Sequence, residues 1–436
     1  MIERVIEAAR ARADAADALW HRAERTSVAF ESGRLKACGV SEDAGINLRV
    51  LKQGRVGIAG TTATEPGDLL DRALASAALG ETVPIAFPPA APLPPVATFS
   101  SAAAEASLDR LTAIGAELVA RVARPGCQVN VSVDRETTET RLVNTTGADA
   151  GYPGTAVSVS VDLARFSGDD VLMVYDVYTG VGLPQAADVD ALVASIEQRF
   201  TPALRVVEPP DGALPVVFTP AGLSAILLPL EQALSGKTVL QGISPLADKV
   251  GQRLFDERFS IVDDPLVAGQ VASRPMDDEA VPSHRVPLVE GGVVRRFVYD
   301  LETAARAGTV STGHGARGTF SKPRIGFSNL IVGDRNGAAG AGLGGGLAAG
   351  LRDGLIVDDL IGVGQGNVIG GAFSHPVALA YRVQQSEVIG RVKDAAVAGN
   401  VYELLKRIGG FGRDGRWLGS RWSASLLLEG VSVARR

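Results

Sequence analysis

The sequence predicts an α+β protein of two domains, the first a mixture of helices and antiparallel strands and the second β-rich and barrel-like. Three observations predict it. Strand-like segments follow one another across short turns, the order of an antiparallel meander rather than of βαβ units. The 436 residues exceed what one ordinary core organises. Glu208–Leu214 (EPPDGAL), rich in proline with little to bury, reads as a linker, which places the domains at 1–207 and 215–436 with 208–214 between them.

In chain order, Met1–Trp20 carries apolar residues at Ile2, Val5, Ile6, Ala9, Ala13, Ala16 and Leu19, a helical period over the whole stretch. Acids mixed with bases and the lack of a continuous apolar run argue against a targeting segment. Thr26–Ser41 and Gly45–Thr62 alternate as strands, with turns at Glu31-Ser-Gly33 and Lys52-Gln-Gly54. Asp68–Leu79 is helical. Pro84–Pro95 holds six prolines in twelve residues and must be extended. A helix is expected near Leu108–Ala123 and another near Val189–Phe200. Between them come strands at Cys127–Asp134, Glu139–Asn144, Ala156–Ala164 and Val171–Thr179. Beyond the linker one helix, Pro220–Leu234, precedes a long β-rich stretch in which Val286–Val289 and Val293–Tyr299 form a hairpin around Glu290-Gly-Gly292. No fixed repeat is visible.

Composition excludes several classes of function. Hydrophobic content of 46% and charge of 21% are those of a globular chain, and the net charge of −6 offers no basic stripe for nucleic acid. No charge-free run of about 18 apolar residues occurs, so no membrane helix is expected and the chain is placed in the cytoplasm. Cys38 and Cys127 are far apart and form neither a disulfide framework nor a metal knuckle. Both lie in β-like sequence and are expected as small buried side chains.

The motifs are mostly decoys. Gly340-Ala-Gly342-Leu-Gly-Gly345 matches GxGxxG with Asp358 downstream, but only about eight residues precede the next strand, too few for a crossover helix. Gly236-Lys237-Thr238 resembles the end of a P-loop, yet Glu231 stands where its first glycine belongs. No GxSxG elbow is present. Of the four histidines, His284, His314 and His375 all fall in predicted turns of the second domain, where folding could join them to Asp277, Asp278 or Glu279. Taken alone, that acidic trio reads as a solvated turn.

Short segments spread over about 400 residues give a resemblance. Ser-Gly-Arg-Leu-Lys36, Gly45-Ile-Asn-Leu-Arg-Val50 and Gly54-Arg55-Val-Gly57 are followed by a helix with the alanine face Ala73–Ala78. Then come Arg274-Pro-Met-Asp-Asp-Glu279, with Ala280 where glycine is usual, Val289-Glu-Gly-Gly292, Ser311-Thr-Gly313, Ser328-Asn329-Leu330, Gly371-Ala-Phe-Ser374, Val397-Ala-Gly-Asn400 opening a helix, and Ser425–Val433. This order resembles the TldD/PmbA peptidase family, also labelled modulator of DNA gyrase, although no gyrase-binding feature is visible.

The resemblance implies zinc peptidases with an HExxxH helix in the second domain and a late cysteine ligand. The equivalent helix here, Leu223–Leu234, has Pro229 and Leu234 at the histidine positions and Leu230 at the glutamate, and no cysteine follows Cys127. The chain therefore resembles the metal-free TldE/PmbA-like subunits. It is expected to bring no cofactor of its own, to pair with a zinc-bearing TldD-like subunit, and to help that pair trim unfolded, extended peptides. Asp277, Asp278, Glu279, His314, Ser374 and His375 are the expected chamber-wall residues. Two alternatives stay open: a stand-alone metallohydrolase (peptidase or amidase) built on His284, His314 and His375, and a homodimeric peptide-binding protein.

Overall fold

A computed structural model describes residues 2–63, 65, 67–335 and 342–435. The N-terminal part is a six-stranded antiparallel sheet with helices against it. Helix α1 (Ile2–Arg10) is followed by β1 (Ala15–Glu31), β2 (Arg34–Lys52) and β3 (Arg55–Thr61), then α2 (Leu69–Leu79), α3 (Ser101–Ala104) and α4 (Leu108–Val122). β4 (Cys127–Asn144), β5 (Asp149–Ser167) and β6 (Asp170–Gly180) complete the sheet, and α5 (Ala186–Ala203) closes the part. The strand order is β3-β2-β1-β4-β5-β6.

The expected helix over Met1–Trp20 ends at Arg10, and β1 starts at Ala15. β1 is bonded to β2 on one side and β4 on the other, so two ladders outweigh the local helical period. Both hairpin turns have paired positive φ, at Ser32 and Gly33 and at Gln53 and Gly54, the primed geometry that suits twisted strands. β4 runs unbroken through Arg135–Thr138, where two strands were expected. Neither cysteine is buried as expected: Cys38 lies in the stretch Arg34–Asp43 of β2, which is exposed throughout, and Cys127, at the start of β4, is half-buried against the core of the first part.

In the C-terminal part the short β7 (Val206–Val207) precedes β8 (Gly212–Phe218), which begins within the segment expected as linker. Helices α6 (Ser224–Ala233) and α7 (Gly236–Leu240) follow, then β9 (Ile261–Asp263), β10 (Val286–Glu290) and β11 (Val293–Val294). The expected second hairpin arm stops at Val294: Val298 N–H donates instead to Leu234 O, and Val298 O accepts from Gly236, tying this stretch to the end of α6. Next come α8 (Leu301–Ala307), β12 (Gly315–Ala316), β13 (Arg324–Ile325) and β14 (Leu330–Val332). β15 (Asp353–Leu360), β16 (Ala372–Gln384), β17 (Glu387–Val392) and β18 (Ala395–Asn400) lead to α9 (Val401–Leu404). Val397–Asn400 thus ends a strand, and Asn400 caps the helix by accepting from Tyr402 N–H at 3.0 Å. β19 (Ile408–Phe411), β20 (Arg416–Leu418), β21 (Arg421–Ser423) and β22 (Leu426–Arg435) finish the chain.

β15, β8, β22, β18 and β16 pair in that order, and β16 pairs back to β15, closing a five-stranded barrel. Where β8, β15 and β22 meet, at Val216–Phe218, Leu355–Val357 and Leu426–Leu428, the strands are apolar on both faces because both faces are buried. Val216, Phe218, Leu355, Val357, Leu426 and Leu428 pack with α6, whereas Val217, Ile356 and Leu427 join the core that α4 and α5 share with the first sheet. The two parts are thus joined through the barrel's outer face.

Candidate functional site

A buried ionic network joins the first sheet to the C-terminal loops. Asp17 of β1 lies opposite Arg49 of β2, and both are buried. Arg49 Nε and Nη2 donate to the two Asp17 oxygens at 3.1 and 2.6 Å, and Nη1 donates to Glu279 Oε1 at 2.5 Å. Arg317 Nη1 donates to Asp17 Oδ2 at 2.8 Å. The other Glu279 oxygen accepts from Leu301 N–H at 2.7 Å, at the start of α8, where partial positive charge favours a carboxylate. Asn47 secures the Arg317 loop: its Oδ1 accepts from Arg317 Nη2 at 2.5 Å, and its Nδ2 donates to the carbonyls of Gly318 and Thr319 at 3.0 Å each.

Electrostatics follow from this packing. Burial alone would raise the Asp17 carboxyl, but the guanidinium groups of Arg317 and Arg49 outweigh it and hold the group below its ordinary value. Glu279 is raised by burial, which Arg49 only partly offsets. Asp277 is pushed up to about 7 by burial and by the charge of Glu279. The acidic trio is therefore no solvated turn, as its composition suggested: Asp277 and Glu279 are buried, and Asp278 is half-buried. Asp277 Oδ1 accepts from Glu279 and Val281 N–H at 3.0 and 2.9 Å, and Oδ2 accepts from Gly315 N–H at 2.8 Å. Ala280 holds φ at 64°, a left-handed conformation in which glycine is less strained.

Beside this network lies a cleft of 560 Å³ between the two parts. His21, Asn47 and Tyr152 line it from the sheet, and Gln270, Arg274 and Asp278 from the loops. Burial and the charge of Asp278 raise the Tyr152 phenol, which stays protonated. Of the expected chamber-wall residues, only Asp278 faces this cleft directly. His314 is buried with both ring nitrogens engaged. Nδ1 donates to Thr312 O at 2.8 Å, and Nε2 lies 3.1 Å from Asp263 Oδ2.

Ser374 and His375 lie elsewhere, on β16, in a cleft of 360 Å³ shared with Leu228 and Pro229 of α6. His375 stacks on Phe373, and burial lowers its pKa. The fold thus brings Ser374 and His375 together with Pro229, which stands where the family motif has its first histidine. Leu230 and Leu234 are turned into the core, and Pro229 has no N–H to give to Ala225 O. His284 is exposed. Among the described residues no group of three or more His, Cys, Asp or Glu side chains is placed to hold a metal ion.

The motif-like segments have plain structural uses. Asp358 is paired with Arg199 at 3.1 Å and accepts from Thr219 Oγ1 at 2.8 Å. Gly340 and Ala341 of the GxGxxG match lie outside the described residues. Gly236 lets the chain pass Tyr299, whose ring would lie 2.2 Å from an added Cβ.

Comparison with known proteins draws these features together. The pattern of the PmbA/TldA metallopeptidase C-terminal domain matches residues 211–435, more than half of the chain, and that of PmbA/TldA metallopeptidase domain 1 matches residues 16–78. The chain belongs to the PmbA/TldD family. A Methanothermobacter thermautotrophicus metalloprotease is 26% identical over 404 residues, covering 90% of this chain and 86% of that protein. The PmbA-homologue metalloprotease of Haemophilus influenzae is 27% identical over 51% of this chain and 46% of its own length. In fold, TldE from Thermococcus kodakarensis superposes with a TM-score of 0.89 at 24% identity, covering 99% of each chain. A Thermotoga maritima protein described as a modulator of DNA gyrase gives a TM-score of 0.88 at 20% identity, again over 99% of each chain.

A family of metallopeptidases implies a metal, and the donor set of α6 can be tested for one. Its ionisable side chain is Glu231, whose Oε1 lies 3.1 Å from Arg421 Nε at an angle too poor for a hydrogen bond. Proline and leucine elsewhere on the helix offer zinc no nitrogen, sulfur or carboxylate. The residues present on α6 do not fit a zinc ion. Sequence reasoning missed the Asp17–Arg49–Arg317 network. Its signal was an arginine inside the apolar run Gly45-Ile-Asn-Leu-Arg-Val50 with no turn beside it.

Proposed function

We propose that this chain is the metal-free, TldE/PmbA-like partner in a two-subunit cytoplasmic zinc peptidase. It forms one wall of a chamber in which a zinc-bearing relative cuts unfolded peptides. The observation that carries the reading is α6. In the barrel's core its residues Leu230 and Leu234 are packing groups, and the glutamate beside them is tied to an arginine rather than free to activate water.

A second feature supports a peptide-handling role. Arg34–Gly45 of β2 is bonded to β1 on one side, while β3 pairs with β2 only from Ile46 onward. Among the described residues the other edge is open, and such an edge can add an extended peptide through backbone hydrogen bonds without regard to its sequence.

Co-expression with an HExxxH-bearing relative from the same genome tests the reading. A stable mixed dimer with zinc bound by the partner, and peptidase activity only in the mixture, is the expected result. Chelator-sensitive digestion of peptides by the isolated chain, abolished by substituting His314 or His375, would overturn it in favour of a stand-alone hydrolase. Persistent inactive homodimers would point instead to a binding protein.

A further inference from the structure

The cleft between the two parts contains an arginine that the fold leaves unused. Arg317 is committed to Asp17 and Asn47. Arg274 lines the same cleft and makes no ion pair among the described residues. Its Nη2 reaches only the carbonyls of Gly313 and Gly326, each at 3.4 Å, and its Nε is buried with no partner. Gln270, on the same loop, also lines the cleft, and its Oε1 is likewise buried without a partner. Arg274 is half-buried and acts on the Asp277 carboxyl only through space; a buried Nε left unbonded is costly, and so is a buried amide oxygen. Each side chain gains a hydrogen bond if a ligand draws it towards the cleft.

The rest of the lining narrows the ligand. Asp43, Glu136 and Asp278 also face the cleft, which disfavours a compact, multiply charged anion such as phosphate. They suit a ligand rich in N–H donors with a single negative end. The open edge of β2 enters the cleft at Asp43 and Gly45, so a chain added along Arg34–Gly45 is delivered there in extended form.

We propose that this cleft captures the C-terminal end of an extended peptide, its carboxylate on Arg274 and its last peptide N–H on Gln270 Oε1. The inference rests on the chain being a peptide-handling subunit, and it adds selectivity for a free chain end.

The test uses the full chain and one labelled, unstructured peptide of mixed sequence, prepared as the free acid and as the C-terminal amide. Fluorescence anisotropy should show the acid binding about tenfold or more tightly than the amide, the scale of one charge-assisted hydrogen bond. Arg274→Gln should erase that difference, and Arg274→Lys should retain part of it. Competition by acetate or phosphate as strong as by the peptide acid would mean a general anion site and overturn the proposal. So would equal affinity for acid and amide, or no binding of either. The wild-type acid–amide comparison is decisive even if the variants fold poorly. If the chain forms an active mixed dimer yet shows no acid preference, the chain-end proposal fails while the proposed function stands.

Discussion

Asp17 accepts from two arginines at once, and its removal would leave both Arg49 and Arg317 buried with too little negative charge. Breaking such a buried cluster by deleting one partner costs about 3–5 kcal/mol, far more than the net worth of the intact pair. Asp17→Asn should therefore lower unfolding stability in urea at pH 7 by an amount of that order, and a loss below about 1 kcal/mol would remove the network from any structural role. The pH dependences of two acids run in opposite directions. Asp17 is held below its ordinary value, so the stability it contributes is present above that value and is lost as pH falls through the lowered one. Asp277 is raised from 3.8 to about 7, so its contribution is complete below 3.8 and is lost as pH rises towards about 7. Between pH 4 and 7, Asp277→Asn should flatten the downward component of a stability-versus-pH curve; an unchanged slope would show that this carboxyl is ionised throughout.

Among elements, the loop that carries Arg317 is seated by close backbone approach. A Cβ on Gly60 of β3 would lie 1.9 Å from Thr319 O, and one on Gly45 of β2 would lie 2.5 Å from the Thr319 side chain. Neither glycine needs a positive φ; they are required for space. Gly60→Ala should force the loop away, at about 1–3 kcal/mol, and raise hydrogen exchange across residues 317–321 while α4 and α5 remain protected. Exchange that is unchanged in that loop would mean the strand end yields instead. A different element shows why local pattern misleads. Arg135–Thr138 interrupts the apolar alternation of β4, yet Arg135 Nη2 donates to Thr26 Oγ1 at 2.7 Å and the ladder continues through it. Both terminal nitrogens of Arg135 are bonded, to Ala104 O, Glu24 and Thr26, which offsets much of the cost of its buried Nε, left without a partner.

For the molecule as a whole, the outer face of the barrel serves as the first part's core. Val217, Ile356 and Leu427 pack in the cluster that holds Leu118, Ile196 and Phe200. Separate expression of 1–207 should therefore expose an apolar face and give aggregated or molten protein, as read by ANS binding and loss of near-UV dichroism. A soluble, cooperatively folding fragment would show that the first sheet and its helices suffice.

Much was legible from local rules. The helices near residues 69–79, 108–122 and 186–203 announced themselves by period, both early hairpins by their turn residues, and the extended segment by its prolines, because each depends on neighbours a few residues away. The sequence also determined what α6 can and cannot offer a metal, since donor chemistry is written in residue identity. Only tertiary structure decided that Asp277 and Glu279 are buried, that Asp17 meets Arg317, that His314 is committed to Asp263, and that Ser374 and His375 share a cleft with Pro229. Those contacts join residues tens or hundreds of positions apart. Burial and charge pairing at that separation are set by how the sheet, the loops and the barrel dock, which no window of local sequence records.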